Sequence, residues 1–310
     1  MIASIGEALI DFIPSRTVEG YNAYVPRPGG SPFNTAIACG RLEHPVLFLT
    51  KIGTDFFGND LIEHLQGNSV GTDYLCRDNQ PTTLAFVRKN DSGDAEYAFF
   101  MNDSADRLLS PQNLPATLPE DVRCIQCGSI SLQVEPSGST IEDFVFAHAD
   151  TRVIAYDPNV RPGLLSDEEA HRERVLRMIR RAGIVKISDV DLEWLYPGSS
   201  LEEATEKVDR LGQALTVVTR GPDGSEGRSR SARVTVPAEI PPGGIKDTVG
   251  AGDSFHGALL TWLDREGFMQ KNALAGLDES TLRSALGFAS RVAAITCSRH
   301  GAEPPRLSEL

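Results

Sequence analysis

Between residues 2 and 221 the chain alternates short apolar runs with longer stretches whose apolar side chains recur every three or four positions. The short runs are "IASIG", "VLFLTKIG", "RCIQCGSI", "RVIAYDPN", "GIVKIS" and "LTVVTRG". Runs that are apolar without a break belong to strands covered on both faces, and a helix between successive strands lets them lie parallel. Helical periodicity falls over residues 31–42, 56–67, 138–149, 168–182 and 201–212, then over 251–266 and 280–298. The expected class is α/β: a doubly wound, mostly parallel sheet with helices on both faces. Two segments break the rhythm. Residues 15–28, "SRTVEGYNAYVPRP", have no helical period, and 82–101 reads as a hairpin, "TTLAFVRK" and "AEYAFFM" about the turn "NDSGD". Segments of about 15–28 and 82–103 are expected to form a small β-sheet lid. With no long linker or repeat, residues 1–310 are expected to be a single domain.

Composition narrows the function classes. Of 310 residues, 40% are hydrophobic and 24% charged, which suits a soluble globular protein. A formal charge of −13 argues against a general nucleic-acid or anionic-membrane surface, while a local cradle can still hold a nucleotide. No apolar run approaches the roughly 20 residues of a membrane span. The opening "MIASIGEALIDFIP" carries Glu7 and Asp11 without a basic lead, so it does not read as a secretion signal. Five scattered cysteines form no disulfide framework, and a cytoplasmic location is expected. Cys124 and Cys127 lack a second pair for zinc and sit in a strand pattern, which makes them core residues.

The stretch "IKDTVGAGDSFHGALLTWL", residues 245–263, carries the chemistry. Gly250, Ala251 and Gly252 open a helix whose apolar face includes Phe255, Leu259 and Trp262. Unshielded amides at a helix start favour phosphate-like charge. Asp253, in the first turn, is placed to take a proton from a hydroxyl attacking phosphorus. As a purely local pattern it reads equally as an acidic residue favourable to a first helical turn. The turn fits neither G-x-x-x-x-G-K-[ST] nor G-x-G-x-x-G after an N-terminal strand.

"DTVGAGDSFHGALL" resembles the C-terminal signature of the ribokinase-like (PfkB) sugar kinases, and element order, lid and length agree over essentially the full chain. The resemblance implies a ribokinase-like fold, with Asp253 as catalytic base and the amides of Gly250, Ala251 and Gly252 holding the transferred group. "GGSPFNTAIACGRL", residues 29–42, resembles the family's N-terminal signature and implies that Gly30 and Asn34 contact the sugar. Locally, Ser31 and Pro32 read as N-cap and first residue of a helix, and a capped core helix accounts for the segment as well. Asp11 corresponds to a sugar-binding Asp; a structural Asp in a turn is the alternative. "YDPNVRP" resembles the D-x-N-x-R stretch, so Arg161 is expected to bind substrate, although Asp157 and Arg161 also suit one another as an ion pair.

"VKISDVDLEWL" aligns with a segment that often reads N-x-x-E; here Ser188 and Asp191 stand in its place. Ser188 and Lys186 are expected on the nucleotide side, with Asp191 reaching Mg²⁺ through water, while a solvent-facing Lys186 is the alternative. Thr219, Gly221 and Gly224 in "VTRGPDGS" are expected beside ATP, or in an ordinary turn. The family often holds a monovalent cation on backbone carbonyls; by position these are Asp247, Val249, Thr296, Arg299 and Gly301, with K⁺ as the ion. His300 reads as a surface residue.

"GEALIDFIP", "GGSPFNTA" and "AEYAFFMNDSADRLL" look most like the fructokinase branch, although Met101 stands where many such lids carry Arg, with Asn102 as the nearby polar group. The expected activity is ATP-dependent phosphorylation of D-fructose to fructose 6-phosphate, with Mg²⁺ and K⁺. 2-Keto-3-deoxygluconate is the rival substrate, and a non-catalytic sugar or nucleotide sensor is the rival class. Exposed lid edges suggest a homodimer, with no nucleic-acid or membrane partner.

Overall fold

The computed structural model describes residues 1–89 and 95–310; the expected hairpin turn at 90–94 lies outside the described residues. In chain order the strands and helices begin with β1 (Ile2–Ile5), β2 (Leu9–Arg16), β3 (Asn22–Gly29) and α1 (Ser31–Arg41). They continue through β4 (Val46–Gly53), α2 (Phe56–Gly67), β5 (Leu75–Asp78), β6 (Thr83–Lys89), β7 (Ala95–Phe100) and β8 (Cys124–Gly128). Next come α3 (Ser137–His148), β9 (Val153–Asp157), α4 (Glu168–Arg181), β10 (Ile184–Ser188), α5 (Asp189–Leu195), α6 (Leu201–Asp209) and β11 (Leu215–Thr219). The last are β12 (Ser225–Arg228), β13 (Arg233–Val236), α7 (Ala251–Arg265), α8 (Lys271–Ala275) and α9 (Glu279–Cys297).

Among the described residues the main sheet has the order β13-β12-β11-β10-β9-β8-β1-β4-β5. β1 pairs parallel with β4 on one side and β8 on the other, and parallel pairing continues through β9, β10 and β11. Its strands separate two cores. Ile2 and Cys124 join side chains from α1, α2, α7 and α9, while Ala3, Ile5, Ile125 and Cys127 join those of α3, α4, α5 and α6. Cys124 and Cys127 thus enter opposite cores, fully buried, and burial pushes both thiols up. They are core residues, and no thiol pair forms.

Periodicity in the sequence does not reveal β5, β12 and β13. Each has four residues, too few to show a period, and β12 and β13 run antiparallel, closing the edge beyond β11 as a meander. The short α5 and α8 escape it as well. The second sheet has the order β3-β2-β6-β7, and its first strand begins at Leu9 rather than near residue 15. Leu9 and Ile10 extend the apolar run of β1, so composition alone does not separate the two strands. Two carboxylates fix the base of β6. Asp55, the N-cap of α2, accepts from Thr82 N–H (2.8 Å) and Oγ1 (2.7 Å), and buried Asp106 accepts from Thr83 Oγ1 (2.5 Å).

α1 packs directly on α7, which joins two segments more than 200 residues apart. A Cβ on Gly257 would lie 2.7 Å from the Thr35 carbonyl oxygen and 2.8 Å from Ala38 Cβ, so only glycine permits this approach. Gly257→Val is expected to cost about 1–3 kcal/mol, seen as a lower urea midpoint with unchanged slope. A wild-type midpoint would mean that the helices are not in close contact there.

Candidate active site

Where the parallel strands end, polar residues collect, as expected for ligands of an open α/β sheet. A cavity of about 290 Å³ lies between these ends and the second sheet, lined by Glu7, Asp11, Ser31, Asn34, Asn159, Arg161, Lys186, Gly250, Gly252 and Asp253. Leu9, Phe99 and Ile130 supply its apolar wall. A neighbouring cavity of about 530 Å³ is mainly apolar, with Phe255, Ala293, Ala294 and Cys297 along one side and Thr219, Gly221 and Gly224 along another. Thr248 and Gly252 line both cavities. A group bound in one is therefore adjacent to a group bound in the other across the start of α7.

That start has the form the sequence implies. Gly250, the N-cap of α7, has φ 73°, a left-handed conformation that glycine adopts without strain. The Ala251 amide donates to the Thr248 carbonyl (3.2 Å) and the Ser254 amide to Gly250 (2.8 Å). The amides of Gly252 and Asp253 thus lie at the open end of the helix, where its dipole is positive. Asp253 is buried; its Oδ1 accepts from Ser31 Oγ (2.7 Å) and its Oδ2 from Asn34 Nδ2 (2.9 Å). Burial raises its pKa, and these hydrogen bonds with the charge of Lys186 oppose the rise. The side chain keeps acceptor capacity for one more donor, such as a substrate hydroxyl.

Lys186 is buried beneath Gly252. Its Nζ donates to Asp157 Oδ2 (2.8 Å) and would lie 3.3 Å from a Cβ on Gly252. Burial works against the ammonium, but Asp157 outweighs it and the pKa rises. A permanent cation therefore sits below the junction of the two cavities. His256, one turn further along α7, is fully buried; desolvation and Lys186 hold its pKa down to about 3, leaving it neutral. The possible Asp157–Arg161 ion pair does not form. Asp157 is taken by Lys186, and Arg161 Nη1 donates to Asn159 Oδ1 (2.7 Å).

The remaining sequence candidates are spread around these two cavities. The carboxylate of Asp11, on β2, accepts no hydrogen bond from the described residues; burial, reinforced by Asp253, pushes its pKa up to about 7 against the pull of Arg161. Gly30, not Ser31, is the N-cap of α1, with Pro32 in the first turn. Ser31 is instead the first residue within the helix, and its hydroxyl donates to Asp253. Ser188 caps α5, and Asp191 accepts from Ser188 Oγ (2.7 Å) and the Val160 amide (2.8 Å), outside both cavities. Asp247 ties two loops, accepting from the Val249 amide (3.1 Å) and the Gly301 amide (2.9 Å). The Thr296 and Gly301 carbonyls each accept a backbone N–H, from Arg299 (3.0 Å) and Glu303 (2.9 Å). Segments 247–249 and 296–301 are thus adjacent, which fits a carbonyl-lined cation site, although no side-chain metal cluster occurs among the described residues. Met101 is buried with Leu9, Ala85 and Ile130, and Asn102 accepts from Arg107 (3.1 Å) on the exposed side. His300 is exposed.

Asn159, expected with Asp157 and Arg161 at the carboxyl end of the sheet, lines the polar cavity, whereas sequence reasoning missed Glu7 and Ser129 in its wall. The one available signal was an acid at position 7 inside the most apolar stretch of the N-terminus.

The profile of a family described as pfkB family carbohydrate kinase matches residues 1–309. A fructokinase of Rhizobium leguminosarum bv. trifolii is 39% identical over 284 residues, covering 92% of this chain and 86% of its own. Fructokinase-1 of Oryza sativa subsp. japonica is 36% identical, covering 100% of this chain and 95% of its own. Among solved structures, fructokinase from Xylella fastidiosa with bound ATP superposes with a TM-score of 0.89 at 27% identity, covering 99% and 96% of the two chains. A double mutant of fructokinase from Vibrio cholerae O395, with fructose, ADP and potassium ion bound, gives 0.85 at 26% identity, covering 97% and 93%.

Asp11 supplies a test with a definite sign. Its pKa rises from 3.8 to about 7 on folding, so the ionised group destabilises the free protein above pH 7. That cost fades as pH falls through 7 towards 3.8. Asp11→Asn should therefore melt above wild type at pH 8, with the gap closing towards pH 4; a gap independent of pH would contradict the assignment.

Proposed function

The chain belongs to the pfkB family of carbohydrate kinases, and from that membership we propose that it moves the γ-phosphoryl group of ATP to O6 of D-fructose, giving fructose 6-phosphate. It is a phosphotransferase with a hydroxyl acceptor. One observation carries the reading. A buried carboxylate, Asp253, held by two donors, stands at the junction of a polar cavity and an apolar one, beside open helix amides and a buried cation. Sugar occupies the polar cavity, with Asp11, Gly30, Asn34 and Arg161 around it. The adenine end of MgATP occupies the apolar one, beside Thr219, Gly221 and Gly224.

In this reading Asp253 takes the proton of the attacking hydroxyl, and the amides of Gly252 and Asp253 itself, with Gly250 and Ala251 shaping the turn, meet the transferred group. Lys186 offsets the charge that spreads over the equatorial oxygens. Asp191 would hold the Mg²⁺ of MgATP through water, and the metal would offset phosphate charge. A K⁺ ion on the carbonyls of Asp247, Val249, Thr296, Arg299 and Gly301 would steady the loop that ends at Gly250. The second sheet acts as a lid that shields the reaction from water.

Charge favours a neutral sugar over 2-keto-3-deoxygluconate. Glu7, Asp11 and Asp253 line the cavity against Arg161 and Lys186. Sugar hydroxyls can donate to these carboxylates, whereas a substrate acid would face them. Buried Met101 adds no cation. Lid edges at β3 and β7 that are unpaired among the described residues, with Phe100 63% exposed, support a homodimer through the lid. ATP as donor, with five free cysteines, supports a cytoplasmic location.

Coupled ADP release across D-fructose, 2-keto-3-deoxygluconate, ribose and adenosine tests the assignment, with fructose expected to dominate. Silence on all four from folded protein would favour a sensor. Asp253→Asn should lower kcat by about 10²–10⁴-fold with sugar binding largely kept; near-normal turnover would remove Asp253 as base.

A further inference from the structure

α1 has an N-terminus that its own residues do not cap. Its N-cap is Gly30, which has no side chain, and Pro32 has no N–H to donate. The cap comes from elsewhere. Glu7, in the connection from β1 to β2 and only 2% exposed, accepts the Ser31 amide through Oε1 (3.0 Å). Through Oε2 it accepts the Ser131 amide (3.2 Å), in the turn that leaves β8. The Glu7 backbone is equally close, since a Cβ on Gly30 would lie 2.7 Å from its carbonyl oxygen. One carboxylate thus joins the helix that supplies both donors to Asp253 and the turn that brings Ser129 and Ile130 into the cavity wall.

We propose that Glu7 is a positioning residue for phosphoryl transfer: it clamps the start of α1 to the turn after β8 and, through Ser31, sets the orientation of the Asp253 carboxylate. The proposal deepens the kinase reading and rests on it for the role of Asp253. The residue type follows from the geometry. Two backbone N–H groups converge on one side chain, and only a carboxylate offers an acceptor to each. Glutamine would turn its NH₂ towards one of the two donors, and aspartate is a methylene too short to span them. Burying this acid is unfavourable, and desolvation raises its pKa against the hydrogen bonds that lower it. Such a group is retained where its geometry is needed.

The groups facing Asp253 are Ser31 and Asn34 from α1, Lys186 from β10, Asp157 from β9 and Asp11 from β2. Of these, Ser31 is the one bonded to Glu7, through its amide, and Asn34 follows it on the same helix; both lower the pKa of Asp253. The test compares wild type, Glu7→Gln, Ser31→Ala and the double variant, with Glu7→Asp as a milder change should Glu7→Gln fail to fold. Sugar kinetics are read together with the ¹³C carboxyl titration of Asp253, identified by its loss in Asp253→Asn. Glu7→Gln is expected to lower kcat about 10–100-fold, with a much smaller change in sugar KM, and to move the Asp253 titration to higher pH. Ser31→Ala should do the same, and the double variant should be no worse than the more affected single one. Folded Glu7→Gln protein with wild-type kcat and titration would overturn the clamp, as would losses that add independently. If wild type phosphorylates no sugar, the kinase reading fails, yet the carboxyl titration still decides whether Glu7 sets Asp253.

Discussion

The carboxylate of Asp253 takes its two hydrogen bonds from residues 222 and 219 positions earlier in the chain. Everything else in the site depends on that long-range contact. It requires α1 and α7 to pack closely, which Gly257 allows, and it requires a parallel sheet that brings both helix starts to one edge. Without those donors, burial would disfavour the ionised form of this acid more strongly. With both donors, and Lys186 beneath, the ionised form has the partners it needs.

The same logic explains how a chain of net charge −13 accommodates an anionic substrate. The positive potential is local. It comes from the open end of α7 and from Lys186, whose charge is held by Asp157 and shielded from solvent. Bulk charge sets which surfaces the protein avoids, while a few buried groups set what it binds. Asp11 marks the opposite case, a carboxyl whose burial costs the free protein stability.

Much of this was legible in the sequence because the signals are local. Helical periodicity placed α2 at its observed bounds and α1, α4 and α7 to within a residue at the C-terminal end, and the glycine-rich turn announced a helix start. The four-residue strands β5, β12 and β13 carry no such period and are fixed by pairing with distant neighbours. Side-chain partners were hidden for the same reason. Nothing near Lys186 states that it will be buried against Asp157, and nothing near Ser31 states that its hydroxyl is needed 222 residues away rather than as a cap. Glu7 gave no local sign of its contacts because its two amide partners belong to other elements.

The two cavities share Thr248 and Gly252 but draw their remaining walls from different parts of the chain. The polar one is built largely before residue 162 and the apolar one wholly after residue 218. Evolution can therefore vary the two halves separately. In the proposed reading, substitutions in the early segments can change which acceptor is welcomed while leaving the donor's berth intact, so long as the short span around Gly250 stays fixed. Such a layout lets one scaffold diversify its acceptors while keeping a single source of phosphoryl groups, and it confines the strictest constraint on drift to the boundary between the halves.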